Sequence, residues 1–588
     1  MYLRTTRVKR PDGRVDEYIR LVESQWNDGS PRHRIICNLG RKDLLAPHAD
    51  ALLRLLKGEE KPAASKNADA IGAWDWGPML MARHFWQELG LQRMIDALPQ
   101  RAGNHGELSD RALALVANRL CEPTSEHGIA RWLETDFVCD RTGERWLPEW
   151  RDDAERLASK RPRVRVKDRQ LRQWYGTLDR LVRHKEQIEK DLFLSLRNLF
   201  SLKVDLVFYD LTSTYFEGHG PVGLAHHGHS RDEKPRNRQV LIGQVMIDGW
   251  PIAHHVFEGN RRDCETVERV LKDIQERFGL RRVVFVGDRG MVTSDNIDLL
   301  RSKHQGYVVG LSRRRRPKVI GYINAATGPW IECPAGIAAR EKTNPPKTLV
   351  QEIPSGESGV HVFVVHSDER LAYERGEREK AMQKVRERLE ALKQRVARGR
   401  LKLPEKIGAA AARVLARNHG TRYYDWRLNE GAFEYFEHPV NLAQEKALEG
   451  KYVVQTEEPD VSALDAVAIY KDLSEVERAF RGLKDVIEMR PVYHRKPDRV
   501  RAHIFVASLA FLLNRALEKK LKSTAIDISS EEAWDLLKTV RVVEIDLGNG
   551  EQKRSVTHGS ARAARIVKAV GIKNLDPNCA ARSAGRAA

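Results

Sequence analysis

Hydrophobic positions change period along the chain, and the changes mark its elements. VDEYIRLVESQW and HRIICNLG are β-rich around the turn-prone NDGSP, so residues 1–45 are expected to be short strands. Residues 46–66 read as helical, then linker-like. Residues 75–200 carry helical periods. Within them LSDRALALVANRLCEPTSEHGIARWLE reads as two helices. Ser109 and Asp110 are positioned to cap the first, Glu122-Pro123-Thr124 breaks it, and Thr124 or Ser125 is positioned to cap the second. Two arrangements fit: a helix-turn-helix that enters a nucleic-acid groove, or a pair of packed helices.

From residue 204 the period shortens. VDLVFYDL is an apolar strand ending at Asp210. VLIGQVMIDG and WPIAHHVFEG follow as two strands around a DGW turn. CETVERVLKDIQERFG is an amphipathic helix, RRVVFVGDRG a short strand ending at Asp288, DNIDLLRSK a helix, and GYVVGLS a strand. The order βββαβαβ matches a ribonuclease-H-like fold, an α/β architecture. Residues 312–455 interrupt it. They open on RRRRPK and continue as a charged helix over about 369–400. Met382, Val385, Leu389, Leu392 and Val396 give that helix a seam stepping by three and four. IGAAAARVLARN is its candidate antiparallel partner, as a solvated hairpin or a dimer contact. RYYDWRLNEGAFEYF is strand-like, and GKYVVQTEE reads as a strand returning to the core. Residues 463–521 are helical again, VRVVEIDLGNGEQKRSV carries a hairpin signal, and the tail ARSAGRAA has the composition of a disordered end.

The expected division is a β-rich region at 1–66 and a helical, DNA-binding candidate at 67–200. A catalytic core spans 201–315 and 456–525, with an insertion at 316–455 and a C-terminal hairpin and tail at 526–588. A length of 588 residues accommodates such a division at roughly one domain per 150 residues.

Composition narrows the function classes. Lys plus Arg is 101 against 82 acids, a net charge of +19, which makes a polyanion such as nucleic acid a plausible partner. The longest clean apolar run, Ile504–Leu513, falls short of the ~18 residues a membrane span needs, so it reads as a buried helix and no membrane partner is expected. The N-terminus lacks the apolar core of a signal peptide. Six scattered cysteines form no CxxC pair, which argues against a cysteine-built zinc site or a disulfide framework and fits a reducing cytoplasm.

The chemistry concentrates on three acids. A carboxylate at the end of an apolar strand is costly unless metal, charge or water meets it. Asp210 and Asp288, on one sheet, are candidates to converge on one edge. In YKDLSEVERAFRGLKDVIEMR, Leu473, Val476, Phe480, Leu483 and Ile487 form an apolar stripe. Glu477 lies about 40° from Leu473 at the stripe's edge, whereas Glu475 falls on the opposite side. Tyr470 and Lys484 lie on nearly the same line as Glu477. Three carboxylates suit hard cations, Mg2+ or Mn2+, and two such ions can drive in-line attack on phosphorus. Arg289, Arg478, Arg481 and Lys484 are the candidate DNA phosphate contacts around them.

With those motifs in view, the sequence resembles bacterial insertion-sequence transposases of the DDE class. The resemblance is to the group with a Tyr–Arg–Glu–Lys signature in the insertion sequence 4 superfamily, and within it to the branch named for insertion sequence 1634. It rests on an ordered set: HRIICNLG, ANRLCEPTSE, YDLTSTYFEG with GHSRD, VFEGNRRD, GDRGM, KYVVQT, YKDLSEVERAFRGLK, RPVYHR and RAHIFVASLAFLL. Tyr470, Glu477 and Lys484 match the signature; Leu473 stands where its arginine belongs, which leaves Arg478 or Arg481 as substitutes. The resemblance implies catalytic, metal-binding roles for Asp210, Asp288 and Glu477, and DNA contacts that include Tyr470. It further implies an insertion before the glutamate, and action on the terminal inverted repeats of double-stranded DNA as a homodimer, joining 3′-hydroxyl ends to target DNA in the bacterial cytoplasm. Two other readings are a DNA-binding protein without catalysis and a nuclease that cuts without joining.

Several further residues carry open alternatives. His219, His226, His227 and His229 cluster in a glycine-rich loop without cysteine partners, and Ser230-Arg231-Asp232 is a candidate neighbour of DNA. Tyr423, Tyr424 and Trp426 suit base stacking or a core. His494 and His503 suit phosphate contact or helix packing, and Pro491 is expected to end the Glu477 helix.

Overall fold

A computed structural model describes residues 2–9, 15–27, 30–49, 53, 69–99, 107–147, 169–200, 206–231, 234–280, 282–287, 293–311, 317–334, 346–417, 419–481, 492–524, 526–547 and 552–577; at 25–27, 30–33, 47, 169 and 474–481 it covers the backbone alone. The RRRR run, Asp232, Pro491 and the C-terminal tail lie outside these residues.

β1 (Tyr2–Lys9), β2 (Val15–Asn27) and β3 (Ser30–Arg41) form an antiparallel meander with its own sheet. Both expected strands are present, and β1 precedes them. After β4 (Asp69–Asp75) come α1 (Gly77–Glu88), α2 (Glu107–Cys121), α3 (Ile129–Thr135), α4 (Arg169–Arg183) and α5 (Lys185–Phe200).

Both helices of the α2–α3 region bury apolar residues in the protein. α2 is buried along nearly its whole length, and the short α3 buries Ile129, Trp132 and Leu133. An all-round apolar helix packs inside other helices; α2 lies against α1 and α4. The expected caps are not used. Ser109 sits inside the first turn of α2, buried, where its Oγ accepts a hydrogen bond from Trp86 Nε1 at 3.1 Å. α3 begins after Gly128, while the Thr124 hydroxyl donates to Asn118 Oδ1 at 3.2 Å. In both places a tertiary partner outcompetes the local cap.

The main sheet begins with β5 (Leu206–Tyr215), β6 (Gln239–Ile247) and β7 (Trp250–Glu258), an antiparallel meander. Asp248 and Gly249 make the β6–β7 turn, both with positive φ (49° and 70°), the backbone that two-residue hairpins need and that an Asp-Gly pair supplies. α6 (Val267–Phe278), β8 (Val284–Gly287), α7 (Ser294–Ser302) and β9 (Gly306–Leu311) follow. β8 runs parallel to β5 and β9 parallel to β8.

Beyond β9 come β10 (Ile331–Glu332), β11 (Thr348–Pro354), β12 (His361–Ser367), α8 (Asp368–Ala397), α9 (Pro404–Arg417), β13 (Tyr424–Asn429), β14 (Ala432–Glu437) and β15 (Lys451–Thr456). Among the described residues the sheet runs β10-β11-β12-β15-β9-β8-β5-β6-β7. The strands of the interrupting segment therefore prolong the core sheet, and β15 is the returning strand read from KYVVQT. α8 and α9 form the expected hairpin, closed by β13–β14 around a core of its own. That core contains Met382, Val385, Leu389, Leu392, Ile407, Leu415, Tyr423 and Tyr424. Trp426 stacks on Phe433 at 5.8 Å, so the aromatic run reads as core.

α10 (Ala463–Arg481) and α11 (Pro497–Ser523) complete the core. Among the described residues α11 is the one helix with the length and hydropathy of a membrane span, yet 83% of its apolar window is buried within the protein. Its partners are α2, α4 and β7, which makes it the shared wall of the helical region and the sheet. After α12 (Ser530–Leu537), β16 (Arg541–Asp546) and β17 (Gln552–Val556) form the expected hairpin, and β4 joins β16 as a third strand.

Candidate active site

Asp210 does not end its strand; β5 runs on to Tyr215. Among the described residues β8 pairs with β5 from Leu206 to Tyr209, the last pair being Tyr209 with Gly287, and β6 pairs along β5 to Tyr215. Asp210 is the β5 residue that follows that last described pair. Farther along, Val492 forms an isolated parallel bridge to Phe216, its N–H donating to Tyr215 O at 3.0 Å. An acid is tolerated in this otherwise buried strand because Asp210 is only half-buried, and its Oδ1 accepts the Leu211 N–H at 2.7 Å.

Strand alternation assigns the faces. Tyr209, Gly287 and Val309 share one side of the sheet, and Phe208, Asp210 and Gly310 the other. On the first side the Tyr209 hydroxyl donates to Thr266 Oγ1 at 3.0 Å, and burial, with the charges of Asp210 and Asp263 adding, pushes that phenol far above its usual range. On the second side lies α10. The Tyr470 ring packs on Tyr452 of β15 at 5.5 Å, and a Cβ on Gly310 would fall 2.3 Å from the Tyr470 oxygen. Leu473 is buried at 3% exposure, so the position where the signature arginine belongs faces protein rather than phosphate. Lys471 Nζ donates to Thr348 Oγ1 at 3.0 Å, fixing α10 to β11 as well.

Gly310 is a site residue that periodicity alone passes over. A glycine inside an apolar strand marks a close approach, and GYVVGL carries that signal. Gly310→Ala is expected to push Tyr470 and α10 off β9, costing about 1–3 kcal/mol of stability through overpacking and lowering, at least about tenfold, any activity that depends on the seating of α10. Cleavage rate and urea midpoint measured side by side would check it; an unchanged rate would detach α10's seating from function.

The other expected residues stand as follows. Glu477, Arg478 and Arg481 lie on the helical backbone of α10, their side chains outside the described residues. Asp288, Arg289 and Lys484 lie wholly outside them. Arg231 pairs with Asp263 at 2.6 Å, and its N–H donates to Ser213 Oγ, on the sheet side away from Asp210. His226 exchanges backbone hydrogen bonds with Gln239. His494 and His503 are packed beside Glu126, away from the surface.

Family models match over most of the chain. One described as a transposase DDE domain covers residues 205–513, and one described as the N-terminal domain of IS1634 family transposases covers residues 3–69. The chain belongs to the IS1634 family of DDE transposases. The DDE match runs from the threshold of β5 into α11, so it takes in Asp210, α10 and the whole interrupting segment. The N-terminal match coincides with the β1–β3 meander. Among solved structures, a piggyBac transposase synaptic complex with hairpin DNA is similar at 10% identity and a TM-score of 0.33, over 79% of this chain and 80% of that one. No curated protein matches. As an IS1634-family DDE transposase, the protein is an insertion-sequence transposase, and its class carries out divalent-metal-dependent phosphoryl transfer on nucleic acid.

Proposed function

We propose that Asp210, Asp288 and Glu477 form the catalytic triad of this transposase, on a ribonuclease-H-like core, and that it cuts transposon ends and joins them to target DNA. The observation that supports the reading is the position of the half-buried Asp210 on β5, with α10 across the same face of the sheet. Residue 288 follows Gly287, the last described residue of β8 and the partner of Tyr209. The helix continues through Arg481, so position 477 falls two turns from Tyr470 along the same line. The order β7-β6-β5-β8-β9, with only β6 antiparallel to its neighbours, supports the fold assignment.

The donor set fits hard cations: carboxylate oxygens, one of them on the half-buried Asp210. Two Mg2+ or Mn2+ ions there would activate the attacking oxygen and stabilise the leaving one. The chain's own contribution is to hold the acids on rigid elements and to orient DNA. Arg289, Arg478, Arg481 and Lys484 contact phosphates on either side of the scissile bond. Tyr470, half-buried and held by Tyr452, sets the height of α10 above the sheet and presents its edge to the DNA end. Water attacks first and leaves a 3′-hydroxyl; that hydroxyl then attacks a target phosphodiester. A homodimer on two inverted repeats, working in the cytoplasm on nucleoid DNA, completes the reading.

Purified protein with Mg2+ is expected to nick DNA ends carrying its element's inverted repeat and to join them to a plasmid. Cutting without joining would make it a nuclease; binding without cutting would overturn the catalytic assignment. Glu475→Gln is expected to leave cutting within about twofold, because position 475 falls on the far side of α10 from Leu473. If Glu475 proves essential and Glu477 dispensable, the helix register is wrong.

A further inference from the structure

Among the described residues, one group of acid and histidine side chains converges closely enough to hold a metal ion: Glu126, His494 and His503, each offering a ligand atom within 4.8 Å of the others. They come from three places in the fold. Glu126 lies in the turn between α2 and α3, His494 two residues beyond the Val492 bridge to β5, and His503 on α11. All three are buried: Glu126 and His494 side chains are 6% and 9% exposed, and His503 is 6% exposed.

The three groups stand close enough to share one ion. Glu126 Oε1 stands 3.4 Å from His494 Nε2, beyond the usual N–H···O range. Four ligands at about 2.0–2.1 Å around a tetrahedral ion sit roughly 3.4 Å apart. A buried carboxylate is expensive unless positive charge meets it; His494 and Arg119 stand beside Glu126, and a dication between the carboxylate and the two imidazoles would meet it more directly. The rival cation is Arg119, whose guanidinium lies 3.9 Å from Glu126 Oε1 and 3.4 Å from His503 Nδ1. Both separations also exceed those of strong charge-assisted bonds. Two imidazoles and one carboxylate suit zinc, with the fourth position left to water.

We propose that Glu126, His494 and His503 form a zinc site, separate from the Asp210 centre, that ties the helical region to the chain segment returning beside β5.

Untagged full-length protein is to be dialysed against metal-free buffer, assayed for zinc by mass spectrometry and titrated with Co2+. The expected result is about one ion per chain and visible cobalt bands of a low-coordinate nitrogen–oxygen site. His494→Ala and Glu126→Gln should abolish the bands; Asp210→Asn should keep them. Arg119→Met should bind at least as tightly, since it removes the competing charge. X-ray absorption on zinc-loaded wild-type protein needs no variant: imidazole scattering supports the site, and an oxygen-only shell overturns it. Wild-type protein that takes up neither ion overturns it too and leaves Arg119 as the neutralising partner. Bands that survive in a folded His494→Ala protein would do the same by putting the ion elsewhere.

Discussion

Asp210→Asn is expected to leave the protein folded and its DNA cleavage slower by at least about a thousandfold, or ~4 kcal/mol of transition-state stabilisation. The fold should hold because asparagine has the same shape, and its Oδ1 can still accept the Leu211 N–H that Asp210 accepts at 2.7 Å. The chemistry should fail because the amide loses the charge and the second anionic oxygen that hold the ions; Asp288→Asn and Glu477→Gln should fail for the same reason. Asp263→Asn is the control. Its carboxylate meets Arg231 at 2.6 Å on the other side of the sheet, so its loss should cost stability but leave cutting within a few-fold. Nicking rates with Mg2+, alongside melting temperatures, test the pair. An Asp210→Asn protein that cuts at near wild-type rate would remove Asp210 from the site.

Much of this was legible in the chain because it is local. The period-two runs of β5 to β9 each bury a continuous apolar stretch, and the Met382–Leu392 seam predicts a hairpin whose core the structure closes on itself. The errors arise where distant residues decide. Nothing near Asp69–Asp75 announces that it pairs with Arg541–Asp546. Likewise, β11 and β12 read as ordinary insertion strands until β15 pairs with both β12 and β9 and makes one sheet of them. The sequence reads as a strand ending at Asp210 because an acid interrupts the apolar run. Yet Thr212, Ser213 and Thr214 beyond it are buried as well, on a strand covered on both faces, where alternation carries no signal. The acids themselves were found by residue type and helix phase. The face that Asp210 shares with Gly310 and α10 came from register, which a single strand does not encode.

Glu189→Ala is expected to cost about 3–5 kcal/mol, the penalty for breaking a buried ion pair by removing one partner. Glu189 lies on α5 at 3% exposure. It meets Lys185 Nζ at 2.7 Å, Arg277 of α6 at 2.5 Å and His254 Nδ1 of β7 at 3.0 Å, and accepts the His254 N–H at 3.2 Å. Truncation would leave Lys185 and Arg277 facing each other in the interior with less anion than they need. Asp273, which also pairs with Arg277, compensates in part. Burial alone would raise the Glu189 carboxyl; Lys185, His254 and Arg277 outweigh it and hold the group far below its usual range. His254 goes the other way. Burial first, then Lys185, lowers it from 6.5 to about 4 despite Glu189, so the folded protein keeps a neutral imidazole beside the carboxylate. The unfolded chain therefore binds a proton between pH 6.5 and 4 that the folded protein does not. Stability is fully present above pH 6.5 and falls by roughly 3 kcal/mol as the pH drops to 4, before the carboxyl's own contribution is lost at lower pH. Urea unfolding at pH 7 and pH 5 reads both effects. A Glu189→Ala protein within about 1 kcal/mol of wild type at pH 7 would show that the cluster is replaceable packing. A wild-type stability that is flat from pH 7 to 5 would mean that His254 keeps its proton in the fold.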